Sequence, residues 1–322
     1  MTAFPRLLKI TVADFIVRTA YQMGKTPLLP IFAASLGANS TFLGLIVSVS
    51  TITGMFLKPI IGLLSDRWGR WVWLFTGTII FSGIPFLYQW TTTPAELLVL
   101  RLVHGLSTAI YGPVTIAFVI ESCRESGTFD TNCAERLGWF GLARSGGYLL
   151  GPTITAVLLT EYSPQTIFTF IGFLSSCAFL PVLFLKDYKT HKKNISLKKQ
   201  TKEAFYTGIK TPTIWLTGSL ECVVYLGFFT SKTFLPLYSL EVGISLIWVG
   251  IFFSFQELTH LITKPIGGRL SDRFGYLILA TSGMFVAASA FSLVPMISNS
   301  YSLLILAMTL GISQSMIFPS TL

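Results

Sequence analysis

Charge is what this chain has least of. Asp, Glu, Lys and Arg make up 11% of its 322 residues and hydrophobic residues 52%, whereas soluble domains carry about a quarter charged residues. A surface so poor in charge cannot face water on every side, so the chain reads as an integral membrane protein. Histidine is almost as scarce. His104, His191 and His260 are the only three, and no HExxH, paired-aspartate or phosphate-loop pattern accompanies them. An enzyme is therefore not expected, nor a metal or any other cofactor. The four cysteines, Cys123, Cys133, Cys177 and Cys222, show neither metal-ligand spacing nor a pairing pattern, which leaves the redox compartment open. No cleavable leader precedes the first apolar run, since Arg6 and Lys9 lead straight into it. A glycine-rich re-entrant repeat is also missing, which argues against a channel.

The net charge of +9 does not point to nucleic acid. Residues 186–210 alone hold eight lysines against Asp187 and Glu203, a net +6 in one segment. A solvated loop beside anionic lipid accounts for that better than a DNA- or RNA-binding face.

A spanning helix needs about 20 mostly apolar residues. Candidate spans fall at 9–36, 41–64, 71–90, 95–120, 137–160, 165–185, 213–240, 245–268, 276–297 and 301–322. They divide the chain into a first bundle at 1–185, a basic linker at 186–212 and a second bundle at 213–322. The connections 37–40, 91–94, 161–164, 241–244 and 298–300 contain no Lys or Arg. The N-terminal tail, Arg67, Arg70, the basic linker, Arg269 and Arg273 lie on the opposite side. The positive-inside rule makes that side, and the N-terminus, cytoplasmic. The 121–136 connection dissents, with four acids against two bases.

Residues 44–69 repeat at 250–275 with a constant offset of 206. Gly44/Gly250, Thr53/Thr259, Lys58/Lys264, Pro59/Pro265, Gly62/Gly268, Asp66/Asp272, Arg67/Arg273 and Gly69/Gly275 keep one register, and Pro30/Pro236, Gly37/Gly243, Gly105/Gly311 and Pro113/Pro319 extend it. A membrane chain with two superimposable halves reads as a transporter built from parallel repeats. On that register Leu322 matches Ile116, about one turn short of the end of the fourth span. The expectation is a twelve-span parent lacking its last two helices.

The motifs resemble the major facilitator superfamily. Gly62-Leu63-Leu64-Ser65-Asp66-Arg67-Trp68-Gly69-Arg70 is similar to that family's loop 2–3 motif, and residues 268–275 to its degenerate second copy. Arg101, Gly105 and Ala109 resemble its intramembrane arginine motif, with His104 where a glutamine is usual. Gly138, Gly147, Gly151 and Pro152 match the G-x8-G-x3-G-P pattern of antiporters, although Thr155 and Ala156 replace its trailing glycines. Pro27 and Pro30 resemble the PxxP of drug exporters. The resemblance implies an all-α membrane fold of two six-helix bundles, the second here incomplete. It also implies that Asp66 latches the inner side against a helix N-terminus, with Arg70 and Glu121 as a completing salt bridge and Asp272 and Arg273 as the counterpart. The partner expected for Asp66 is the missing eleventh helix. Gly147 and Gly151, with Ala143, form a small-residue ridge for close helix packing.

Ionisable residues inside spans usually face a cavity or a partner. Asp14, Arg18, Tyr21 and Lys25 share one face of the first span. Glu221, Tyr225, Phe228 and Lys232 repeat the spacing in the seventh at an offset of 207, a one-residue slip attributed to adjustment near Pro236. Arg101, His104 and Arg144, and the i,i+3 pair Glu257 and His260, complete the candidate substrate and proton pathway. Asp14 with Arg18 reads equally well as a plain i,i+4 ion pair. Together with the resemblance, these residues imply a transporter in the plasma membrane, monomeric as is the family habit, taking protons and a small molecule and exporting the latter by alternating access. Asp14, Glu221 or Glu257 would carry the proton, with Arg101 tuning it. The excess of bases hints at an anionic substrate. A proton symporter or facilitator for sugar or organic-acid uptake is the alternative, and a non-transporting scaffold or sensor a third reading.

Overall fold

The computed structural model describes residues 3–125, 129–187 and 197–321. Among these there are thirteen α-helices and no strand. In chain order they are α1 (Ala3–Lys25), α2 (Leu28–Ser35), α3 (Ser40–Trp68), α4 (Arg70–Leu87), α5 (Pro94–Glu125), α6 (Phe129–Glu161), α7 (Pro164–Ser176), α8 (Phe179–Leu183), α9 (Leu197–Lys210), α10 (Pro212–Glu241), α11 (Leu246–Phe274), α12 (Tyr276–Ser292) and α13 (Ser300–Thr321). Eight helical stretches are long and apolar enough to cross a membrane. The first and fifth expected spans are the two below that standard. α1 carries Arg6, Lys9, Asp14, Arg18 and Lys25, and α6 carries Arg144 among five glycines from Gly138 to Gly151.

The structure corrects the sequence expectations at several joints. The span at 9–36 is two helices, because Pro27 has no amide with which to carry α1 onward. Pro30 then falls in the first turn of α2, where a missing amide costs little. The span at 165–185 also breaks, between α7 and α8. Pro181 cannot donate to the Cys177 carbonyl, and Leu180 N does so at 3.3 Å instead. Most of the 121–136 connection is helical, as the ends of α5 and α6. The basic linker is not wholly loop, since α9 occupies Leu197–Lys210. Lys189, Lys192 and Lys193 lie outside the described residues, as does Leu322.

α3, at 29 residues, is roughly 43 Å long, against about 30 Å for a hydrocarbon core. Its charged end, Asp66 and Arg67, therefore extends beyond the lipid. Helix entries are set by local chemistry: the Asn39 carboxamide accepts from Phe42 N at 2.8 Å, and the Ser163 hydroxyl caps α7.

The chain divides into two compact units, one comprising Met1–Gly151 with Tyr162–Thr201, the other Pro152–Glu161 with Lys202–Leu322. In the first, Ile10, Ala13, Leu74, Ile110, Val114 and Phe118 form a core around α1, α4 and α5. In the second, Phe228, Phe252, Phe253, Leu303 and Leu310 pack α10, α11 and α13 together.

The 206-residue repeat is a repeat of backbone. Gly37 and Gly243 both adopt φ of 85°, and Gly69 and Gly275 adopt 92° and 93°. The turns after α2 and α10 use matching hydrogen bonds, Ala38 N to Ala33 O and Ile244 N to Ser239 O. A Cβ on Gly105 would lie 2.7 Å from Thr53 Cβ, and one on Gly311 would lie 2.7 Å from Thr259 Cβ. The slip to an offset of 207 also resolves, and it belongs to the first unit rather than to Pro236. α10 is continuous, whereas the Thr26-Pro27 turn between α1 and α2 accommodates one extra residue between Lys25 and Pro30.

Candidate functional site

Glycine brings α6 onto α1. A Cβ at Gly147 would sit 2.8 Å from Thr19 N, and one at Gly151 2.7 Å from Gln22 Cβ, so only a bare backbone permits this spacing. The close approach lets Arg144 of α6 reach Asp14 of α1. Arg144 donates through Nε to Asp14 Oδ2 at 2.9 Å and through Nη2 to Oδ1 at 3.0 Å. Its Nη2 also donates to the Thr115 hydroxyl of α5 at 2.8 Å, and the guanidinium lies 4.7 Å from the Phe140 ring centroid. Arg18 Nε stands 3.6 Å from Asp14 Oδ1. Asp14 is 1% exposed, so one buried carboxylate serves two arginines. The i,i+4 pair with Arg18 exists, but the bidentate bond to Arg144 is the tighter one.

One turn and more along α1, Tyr21 and Lys25 are also buried. Lys25 Nζ lies 5.6 Å from the Tyr21 ring centroid, and Tyr21 meets the His104 ring edge-on at 5.4 Å. Arg101, 1% exposed, donates to the Ser50 hydroxyl at 2.6 Å and has the hydroxyls of Tyr21 and Tyr88 in hydrogen-bonding reach. Tyr88 in turn bonds His104 Nδ1 at 3.0 Å. Among the described residues Arg101 has no carboxylate at ion-pair distance.

At the joint between α3 and α4, Arg70 bridges two acids, with Nη2 2.8 Å from Asp66 and 2.7 Å from Glu121. The Arg70–Glu121 pair is thus in place, and Asp66 is engaged within its own unit. Gly69 turns the chain at positive φ, and the Asp187 carboxylate accepts from Trp71 N at 3.1 Å. That acid caps the N-terminus of α4, where negative charge is favourable. Gly62 and Gly138 have open space where a Cβ would be, so neither is there for close packing. Arg67 sits half-buried beside this network.

In the second unit, Glu221 and Lys232 are half-buried and Tyr225 is 42% exposed. Tyr225 and His260 both contact the Phe318 ring, at 5.5 and 5.8 Å between centroids. Glu257 Oε1 lies 3.9 Å from His260 Nδ1, beyond hydrogen-bond length. Asp272 is exposed, and Arg273 lies over the Phe274 ring. Gly250 packs against the Pro152 carbonyl and Ala156, and Thr153 donates to the Ser254 hydroxyl at 2.7 Å.

The structure therefore gathers Asp14, Arg18 and Arg144 into one network and Tyr21, Lys25, Arg101 and His104 into a second. Glu257 and His260 belong to the other unit. Four partners were not among the sequence candidates: Thr115, Ser50, Tyr88 and Asp187. Only Asp187, an acid in a basic segment, carried any visible mark.

Comparisons with known proteins agree with this architecture. The chain is 24% identical over 299 residues to multidrug resistance protein 1 of Bacillus subtilis, covering 91% of this chain and 74% of that one. It is 26% identical over 309 residues to the efflux pump PmrA of Streptococcus pneumoniae, with the same two coverages. A crystal structure of a mutant nucleoside transporter NupG superposes with a TM-score of 0.82 at 13% identity, over 98% of this chain and 81% of that one. The family model described as Major Facilitator Superfamily matches residues 12–322, so the chain belongs to that superfamily and is a membrane transporter, not an enzyme.

Proposed function

We propose that this transporter is a proton-coupled exporter of a small organic compound, acting as a monomer in the plasma membrane with its N-terminus cytoplasmic. The observation that carries the reading is Asp14, a carboxylate inside a membrane helix, buried and held by Arg144 and Arg18. While Asp14 is ionised, Arg144 ties α1 to α6. Protonation removes the charge that holds Arg144, so the α1–α6 contact answers to proton occupancy. Substrate leaving against a proton would then use the same polar stripe, with Tyr21, Lys25, Arg101 and His104 further along it. Glu221 and Glu257 are the rival coupling acids. The Asp66–Arg70–Glu121 network, with Gly69 and Arg67, closes the inner end, and Asp272 with Arg273 is its counterpart. Residues 1–185 and 213–322 would move as two bundles about the 186–212 linker, giving alternating access. The relatives named as multidrug efflux proteins support export.

Uptake by symport or facilitation is the second reading. It is favoured by the fold shared with NupG and with a crystal structure of a D-xylose–proton symporter, TM-score 0.66.

The test uses inverted membrane vesicles with an acid interior and a fluorescent amine reporting the gradient. Dissipation on adding an amphipathic drug or organic acid is the expected result. No dissipation by any compound, combined with uptake into whole cells, would move the reading to import.

A further inference from the structure

Arg101 is a fully buried guanidinium, and among the described residues the groups it meets include the hydroxyls of Ser50, Tyr21 and Tyr88 and the His104 ring. Ionisable residues in membrane helices pair with one another or with backbone carbonyls, or mark a substrate or ion pathway. The acid on this face of α1, Asp14, is already engaged by Arg144 and Arg18. Among the described residues of the first unit, Asp14 is the one buried carboxylate, while Arg18, Lys25, Arg70 and Arg101 are buried.

The hydrogen bonds have a direction as well. Arg101 only donates, and the Tyr88 hydroxyl, in its reach, lies 3.0 Å from His104 Nδ1. With Tyr88 donating to Nδ1, His104 carries its proton on Nε2. His104 Nε2 and Arg101 Nε are both buried without a hydrogen-bond partner. Arg101 Nε is thus an unmet donor, His104 Nε2 is a second in that tautomer, and among the described residues no carboxylate stands at ion-pair distance from Arg101.

A group of unmet donors around an unneutralised guanidinium has the chemistry of an anion site. We propose that Arg101, with His104 Nε2 and the Tyr21 and Tyr88 hydroxyls, forms a subsite for an oxyanion, a carboxylate or phosphate group of the transported compound. Lys25, on the Tyr21 ring, adds a second positive charge at its edge. The subsite rests on the transport reading in one respect, because an anion reaches an enclosed Arg101 only when the surrounding helices part during a transport cycle. The subsite says nothing about which acid carries the proton, so the two stand or fall separately.

The test is equilibrium binding to the purified protein in non-ionic detergent stripped of phospholipid, with no ion gradient. The probes are benzoate, inorganic phosphate and the cation tetraphenylphosphonium, and calorimetry is the readout. Benzoate or phosphate should bind, with Kd weakened by about tenfold or more in Arg101→Gln and by less in Arg101→Lys, which keeps the charge but loses the planar fork. Binding of tetraphenylphosphonium with neither anion binding would overturn the proposal. So would anion binding of unchanged strength in Arg101→Gln or, if that variant does not fold, in Arg101→Lys. Anion binding lost in Arg101→Gln, in a protein that dissipates no proton gradient, would keep the subsite and reject proton antiport.

Discussion

At positions 105 and 311 a glycine backs onto a threonine of the neighbouring helix, and at 37 and 243 a glycine ends a helix at the same φ. At the matching faces of α1 and α10 the two repeats part company. α1 buries Asp14, Arg18, Tyr21 and Lys25, and α6 covers it through Gly147 and Gly151. α10 leaves Tyr225 exposed and Glu221 and Lys232 half-buried. The repeat thus preserves what backbone geometry demands, turns and close crossings, while the buried charge chemistry belongs to one copy. Pseudo-symmetry here is a property of the scaffold, and the ionisable machinery is asymmetric.

That contrast is open to attack by mutation. The largest effect is expected at the Asp14–Arg144 pair. Replacing Asp14 leaves Arg144 and the buried Arg18 without their carboxylate, which costs about 3–5 kcal/mol, while replacing Arg144 leaves Asp14 only the longer contact with Arg18. Asp14→Asn with Arg144→Gln together should lose less stability than the sum of the two single losses. Thermal unfolding in detergent, read as a double-mutant cycle, measures this. Additive losses would show that the pair does not couple.

Next come the paired glycines. Gly105→Ala and Gly311→Ala should each cost about 1–3 kcal/mol through overpacking, and by similar amounts, because both new methyl groups meet a threonine and a backbone carbonyl under 3 Å away. Unequal losses, measured by the same unfolding assay, would break the claim that the scaffold is symmetric. Gly37→Ala and Gly243→Ala should cost about 1 kcal/mol each, since both sit at positive φ with open space for a Cβ. The smallest effect is expected for Glu221→Gln, within about 0.5 kcal/mol, because that carboxylate is half-exposed. A loss comparable to that of Asp14→Asn would erase the asymmetry.

The sequence was most legible where a residue's identity is a backbone requirement. Gly37, Gly69, Gly105 and their partners are visible because a positive φ or a close helix crossing requires glycine there, so their spacing alone reported the repeat. Arg70 and Glu121 were paired by the family motif and stand at bonding distance. Arg144 was visible only as a charge in a span. Its partner Asp14 lies 130 positions away, and nothing local specifies which acid a membrane arginine reaches. The helix breaks were half-legible: Pro27 and Pro181 were in view, but both spans stay apolar across them, so hydropathy smoothed them over. Ser50, Thr115 and Tyr88 were beyond reach, because hydroxyls in a membrane helix commonly bond their own turn and give no sign when they serve a neighbour instead.

The most direct measurement is proton release from acid-loaded inverted vesicles, comparing Asp14→Asn, Glu221→Gln and Glu257→Gln at equal expression against the unaltered protein, with the same added substrate. If Asp14 is the coupling acid, substrate-driven dissipation of the gradient is lost in Asp14→Asn and persists in the other two. Dissipation that survives in Asp14→Asn and disappears in Glu221→Gln or Glu257→Gln would contradict it and place proton coupling in the second repeat.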